Sequence, residues 1–153
     1  MCKRIAFTLT AAGILTVALG AAAQQAAPDP AVAIQAGKAA FEMSCKKCHP
    51  LDRPLSKVKT AEEWASTVDL MIKKGAAVDN EQKGQIVAYL AAKSTFETKC
   101  STCHGTDRPL GKSKTAADWL STVQRMAAKK PGHLSDQEVT AVAAYLALVR
   151  AAK

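Results

Sequence analysis

Cys45-Lys46-Lys47-Cys48-His49 returns 55 residues later as Cys100-Ser101-Thr102-Cys103-His104, and two Cys-x-x-Cys-His motifs constrain a chain more than any other feature of it. Cysteines three apart lie on neighbouring positions of a helical turn. Each thiol can therefore add to one vinyl group of the same porphyrin, and the histidine that follows is held beneath the iron as proximal ligand. The pattern predicts two covalently bound c-type haems, one on Cys45 and Cys48 with His49, the other on Cys100 and Cys103 with His104. A zinc ribbon would place its second pair roughly 15 to 20 residues after the first, whereas Cys48 and Cys100 are 52 apart. A thioredoxin-like redox motif would need a βαβ pattern, which the sequence lacks.

The motifs belong to an internal repeat. Phe41–Met71 aligned without gaps on Phe96–Met126 gives 18 identities in 31 positions, a self-similarity that duplication explains. The shared residues are Phe-Glu, the haem motif, Asp-Arg-Pro-Leu, Lys-x-Lys-Thr-Ala, Trp-x-Ser-Thr-Val and Met. After one inserted residue near Pro131-Gly132, Ala88-Tyr89-Leu90 matches Ala144-Tyr145-Leu146. The expected organisation is a signal peptide over 1–23, a flexible leader over 24–30, and haem domains over 31–92 and 93–153.

Within each repeat the signals are helical. Ala31 to Cys48 has helical composition, and Asp52-Arg53-Pro54-Leu55 reads as a turn because proline disfavours helical backbone at the residue before it. Thr60 to Glu63 forms a capping-box pattern that opens a second helix, with a weaker version at Thr115 to Asp118. Gly75 and Pro131-Gly132 mark the ends of those helices, and Asp79 with Gln82, then Ser135 with Glu138, open third helices. No segment alternates with period two, so the fold class expected is all-α: two tandem helical domains, each wrapped around one covalent haem. Each unit is about the size at which a protein core alone is marginal, and a buried macrocycle would supply what the core lacks.

Trp64, Val68 and Met71 are spaced i, i+4, i+7, as are Trp119, Val123 and Met126, so each trio occupies one helix face. Met71 and Met126 stand at equivalent positions, and a methionine thioether suits haem iron and raises its potential when paired with histidine. The expected axial pairs are His49/Met71 and His104/Met126, although a methionine at helical spacing is also ordinary core filler. Met43 becomes Thr98 in the second repeat and is discounted. His133 competes for the second iron; its counterpart is Ala77. Trp64 and Trp119 suit packing on a porphyrin with the indole N–H donated to a propionate, or equally ordinary core packing, and Arg53 and Arg108 suit propionate contacts through the guanidinium fork or lie free at a turn. A backbone carbonyl near each proximal histidine is expected to accept its second ring N–H.

Export is expected. Lys3 and Arg4 precede an apolar run from Ile5 to Gly20, and Ala21-Ala22-Ala23 offers a small-residue cleavage site, the pattern of a secretory signal peptide. That run falls short of the about 20 apolar residues of a membrane span, so no stable span is expected after cleavage, and the location implied is periplasmic. Cys2 leaves with the signal. Its removal with Lys3 and Arg4 takes the formal charge from +8 to +6, which haem propionates lower further; with export, this argues against nucleic acid as a partner. Lys46, Lys47, Lys57, Lys59, Lys112 and Lys114 gather near the motifs, where they would steer an acidic redox partner or simply form a solvated surface.

Gly37-Lys38-Ala39-Ala40-Phe41 before the first motif resembles the opening of class I cytochromes c, and Tyr89-Leu90 and Tyr145-Leu146 resemble the aromatic-leucine pair of their closing helix. The resemblance implies that an N-terminal helix crosses a C-terminal helix at each haem, with Phe41 against the Tyr89 region and Phe96 against the Tyr145 region. It is looser in the second repeat, where Ala92 replaces the glycine. It is also broken by methionines on a middle helix, since class I proteins take theirs from a late loop. Arg-Pro, Lys-Thr, Trp and Val-x-x-Met together resemble the dihaem region of quinohaemoprotein amine dehydrogenases, which implies haems that serve a dehydrogenase. The function expected is transfer of single electrons between donor and acceptor redox proteins, with no catalytic residues; the alternative is a haem enzyme or a gas or redox sensor with one open or His-ligated iron.

Overall fold

The computed structural model describes residues 29–151. The signal peptide expected over 1–23, and the leader up to residue 28, lie outside them. The described residues form α1 (Pro30–Cys45), α2 (Asp52–Leu55), α3 (Ala61–Lys73), α4 (Asn80–Cys100), α5 (Asp107–Leu110), α6 (Ala116–Lys129) and α7 (Asp136–Val149). An isolated bridge between Lys114 and Ala151 is the only strand-like pairing among them.

The helix boundaries follow from local chemistry. Asp29 caps α1 through a 2.9 Å bond to the Ala31 N–H, and Pro30 takes the first helical turn, where a missing N–H costs nothing. The leader expected through residue 30 thus gives up its last two residues to α1. Reciprocal capping boxes open α3 (Thr60 with Glu63), α4 (Asp79 with Gln82) and α7 (Ser135 with Glu138). At α6 the shorter Asp118 does not reach back to the cap N–H, and its carboxylate accepts from the Thr115 hydroxyl instead. α3 ends at Gly75, whose φ of +97° lets the Gly75 N–H reach the Ile72 carbonyl and the Ala76 N–H reach that of Met71, a Schellman closure.

Two local expectations give way. Asp52–Leu55 and Asp107–Leu110 are single helical turns, because Pro54 and Pro109 sit in the first turn, where no intrahelical N–H is needed. α1 ends at Cys45, so Cys48 and His49 lie in the turn beyond it.

α4 governs the architecture. The boundary expected at 92/93 falls inside this helix, which closes the first repeat and opens the second without a break. α1 packs on α4, α4 on α7, and α1 on α7, while α3 lies against α4 and α6 against α7. The two repeats therefore share one core. Its spine is a run of buried rings, Phe41–Tyr89–Tyr145–Phe96, with successive centroids 5.9, 6.0 and 5.7 Å apart. Phe41 meets Tyr89 and Phe96 meets Tyr145, as expected; the Tyr89–Tyr145 contact that joins the pairs was not. Gly37 permits the closest approach in this core, because a Cβ there would overlap the Gln85 carbonyl of α4.

Candidate haem centres

The first motif, α2, α3 and α4 enclose a cavity of ≈ 500 Å³, within the range of cofactor pockets. Cys45, Cys48, His49, Arg53, Trp64 and Met71 all line it, so side chains that sequence analysis drew from three segments converge on one space. Phe41, Val68, Ile86 and Leu90 complete an apolar interior. The charged side chains on its wall are Arg53, Lys57, Lys59 and Lys74, with no carboxylate among its lining residues. Apolar walls for a macrocycle, cations for two propionates, and two thiols with an imidazole at one end fit a covalently held haem.

His49 has its Nδ1 3.0 Å from the Pro50 carbonyl oxygen, and His104 has the same distance to that of Gly105. A carbonyl only accepts, so Nδ1 carries the proton in both rings and Nε2 keeps the lone pair that an iron needs. The accepting carbonyl that sequence could not name is that of the very next residue. None of the four motif cysteines is paired in a disulfide. Burial pushes the Cys45 and Cys100 thiols above their ordinary pKa, and the neighbouring Cys48 and Cys103 add to the effect.

In the second repeat Trp119 and Val123 are buried, and Cys100, His104 and Met126 are half-buried. Met126 follows Trp119 and Val123 on α6, as Met71 follows Trp64 and Val68 on α3. Both methionines thus lie on middle helices. Arg53 and Arg108 are exposed on the one-turn helices α2 and α5. Met43 is 54 % exposed, in keeping with its exclusion.

The tryptophan N–H groups do not await a propionate. Trp64 Nε1 donates to Ser94 Oγ at 3.0 Å, and the Lys59 backbone N–H donates to the same oxygen at 3.2 Å. In the second repeat Trp119 Nε1 and the Lys114 N–H both donate to the Arg150 carbonyl, at 3.4 and 3.3 Å. Ser94 and Arg150 are equivalent positions. α7 ends at Val149, which frees the Arg150 carbonyl; α4 runs on, its carbonyls are engaged, and a serine hydroxyl takes their place. Sequence analysis missed Ser94, and the signal was a serine at the position where one closing helix stops and the other continues.

His133 is also accounted for. Its Nε2 lies 3.0 Å from the Lys99 carbonyl oxygen and 3.4 Å from Thr102 Oγ1, tying the loop before α7 to the end of α4. The first repeat makes the same tie with the donor on the other side, Ser44 Oγ to the Ala77 carbonyl at 3.4 Å. His133 Nε2 is thus engaged with a backbone carbonyl at the end of α4.

Lys59 and Lys114, grouped above with partner-steering lysines, turn inward. Their Nζ atoms stand 5.3 and 5.2 Å from the Trp64 and Trp119 ring centroids and each donates to a threonine, Thr67 or Thr122, at 2.7 Å. Lys46, Lys47, Lys57 and Lys112 remain exposed.

Residues 88–146 match the family of cytochrome c oxidase, cbb3-type, subunit III. That stretch is similar to a cytochrome c domain. The match begins inside α4, takes in the second motif, Trp119, Met126 and His133, and stops in α7. The matched span thus includes residues 88–92, which sequence analysis gave to the first repeat. Comparison with curated proteins and with solved structures finds no match. No helix among the described residues is long and apolar enough to cross a membrane.

Proposed function

We propose that the protein is an exported dihaem c-type cytochrome that carries single electrons between a donor and an acceptor protein, with His49/Met71 at the first iron and His104/Met126 at the second. The observation that carries this reading is the cavity of the first repeat. His49 from the motif and Met71 from α3 line one space together with both thiols of the motif. The second repeat keeps every one of these residues, and the hydrogen bond that orients its histidine is the same to 0.1 Å.

A bound haem supplies a one-electron iron couple; the chain supplies attachment, orientation and a dry environment. The Pro50 and Gly105 carbonyls orient the imidazoles, Trp64 walls the cavity of the first repeat, and both repeats share α4. Lys46 and Lys47 are exposed beside the first motif and have Ser101 and Thr102 as counterparts in the second. An acidic partner, either a small carrier or a dehydrogenase, would therefore dock at the first haem.

The test is the far-red spectrum of the oxidised holoprotein, where methionine sulfur on iron(III) gives a weak charge-transfer band. Met71→Ala and Met126→Ala are each expected to remove about half of it. A band that is absent, or that vanishes with one variant alone, would refute His/Met ligation at one iron and favour an enzyme or sensor with an open site.

A further inference from the structure

Lys59 and Lys114 are cations without counter-ions. Each is half-buried, and neither forms an ion pair among the described residues, where the ion pairs are Lys38–Glu42, Lys83–Asp69, Lys93–Glu97 and Lys99–Glu138. A lysine ammonium has three donors. One of those on Lys59 goes to Thr67 Oγ1, whose own proton goes to the Glu63 carbonyl at 2.7 Å, and the Trp64 face lies on another side. Among the described residues at least one of its N–H groups is left without an acceptor.

The arrangement holds the ammonium in place. The indole is buried and pinned through its own N–H to Ser94, the threonine hydroxyl is committed to a backbone carbonyl, and the lysine rests on both. It is also repeated, with the two ring distances agreeing to 0.1 Å and the two threonine distances identical. A surface lysine free to sample rotamers gives no reason for such agreement. In the first repeat Lys59, Trp64 and Thr67 all line the haem cavity, and the other charged groups on that wall, Arg53, Lys57 and Lys74, are cations as well. Four cations on one wall with no carboxylate among the lining residues favour an anion there, and the anions that a haem brings into such a space are its two propionates.

We propose that Lys59 and Lys114 each anchor a propionate of the haem in their own repeat, presented by the Trp and Thr beneath them. This rests on the haem reading above. The tryptophan, expected to hold the propionate itself, instead serves as the platform for the group that does.

The experiment uses the full-length holoprotein and the variants Lys59→Met and Lys114→Met, which keep the aliphatic stem over the indole, with Lys59→Arg and Lys114→Arg to restore the cation. Resonance Raman spectroscopy reads the propionate-bending band and spectroelectrochemistry reads the two potentials. Each Met variant is expected to shift the bending band. It should also lower one of the two potentials, changing the reduced-to-oxidised ratio at that haem by roughly tenfold at fixed applied potential, or about 59 mV for a one-electron couple. Arginine should restore both. An unchanged band in a variant that binds two haems overturns the contact, whatever the potential does, and leaves the lysine as packing on the indole. Fewer than two haems per wild-type chain, counted as the pyridine complex, overturns the dihaem reading itself and takes with it the lysine of the empty repeat.

Discussion

Gly37→Ala tests the helix crossing on which the whole core depends. In a helix interior alanine is normally better than glycine by about 1 kcal/mol, so the substitution should stabilise unless something opposes it. Here a Cβ would overlap the Gln85 carbonyl oxygen, and it would lie 2.5 Å from the carbonyl carbon and 3.1 Å from Tyr89 Cβ. The obstacle is backbone in the middle of α4 and cannot rotate aside, so α1 and α4 must part and loosen Ile34, Phe41, Ile86 and Tyr89, all buried between them. Overpacking of this kind costs about 3 kcal/mol at the upper end of its usual range, which leaves a net loss of about 2 kcal/mol after the gain in propensity. For a domain of this size that is a fall in Tm of roughly 8 °C. Gly84, in α4 with nothing within 4 Å of its Cβ position, is the internal control: Gly84→Ala should gain about 1 kcal/mol. Thermal and urea unfolding of the two holoprotein variants, followed by circular dichroism, should give shifts of opposite sign. If Gly37→Ala is as stable as Gly84→Ala, the close crossing of α1 and α4 is wrong.

Ser94→Ala should cost about 1 to 3 kcal/mol, the penalty for a buried donor left without its acceptor, because Trp64 Nε1 and the Lys59 N–H share that one oxygen; a loss below about 0.5 kcal/mol in urea unfolding would refute the role. His133→Ala should remove about 1 kcal/mol and leave the spectrum of the second haem unaltered, whereas a change in its ligand bands would make His133 a ligand after all. Burial pushes the Tyr145 phenol well above its ordinary value, with Tyr89 and Glu97 adding to the effect, and burial raises Tyr89 likewise. The folded state therefore holds these protons after the unfolded chain has lost them, so stability should be intact below about pH 10 and decline above it. In an ultraviolet titration of the phenolate the two tyrosines should ionise only as the protein unfolds; titration near pH 10 in the folded state would contradict their burial.

Much of the site could be read from sequence because its chemistry is local. Two thiols and an imidazole within five residues can be recognised without a fold, since the helical turn brings them together. The caps at Thr60, Asp79 and Ser135 and the stop at Gly75 are contained within four or five residues and were legible for the same reason. Local rules failed where position within an element mattered more than residue type: Pro54 and Pro109 look like helix breakers, and in a first helical turn they break nothing. The repeat made Met71 and Met126 stand out, and periodicity alone would not have separated either from core filler.

What required tertiary structure is every partner chosen across helices. The bonds of Trp64 to Ser94, His133 to Lys99 and Trp119 to Arg150 span 30 to 34 residues, and no local pattern encodes which face of one helix meets which residue of another. The sequence by itself determined that the chain is helical and that its Cys-x-x-Cys-His motif recurs inside a 31-residue repeat, because those properties are written within each unit. Only the packing decided that the units share α4 and one aromatic spine, and that two lysines turn inward while four stay on the surface. The physical reason is that a buried donor must find an acceptor among the groups that packing puts beside it, and duplicated sequences placed on a continuing helix and a terminating one are offered different groups.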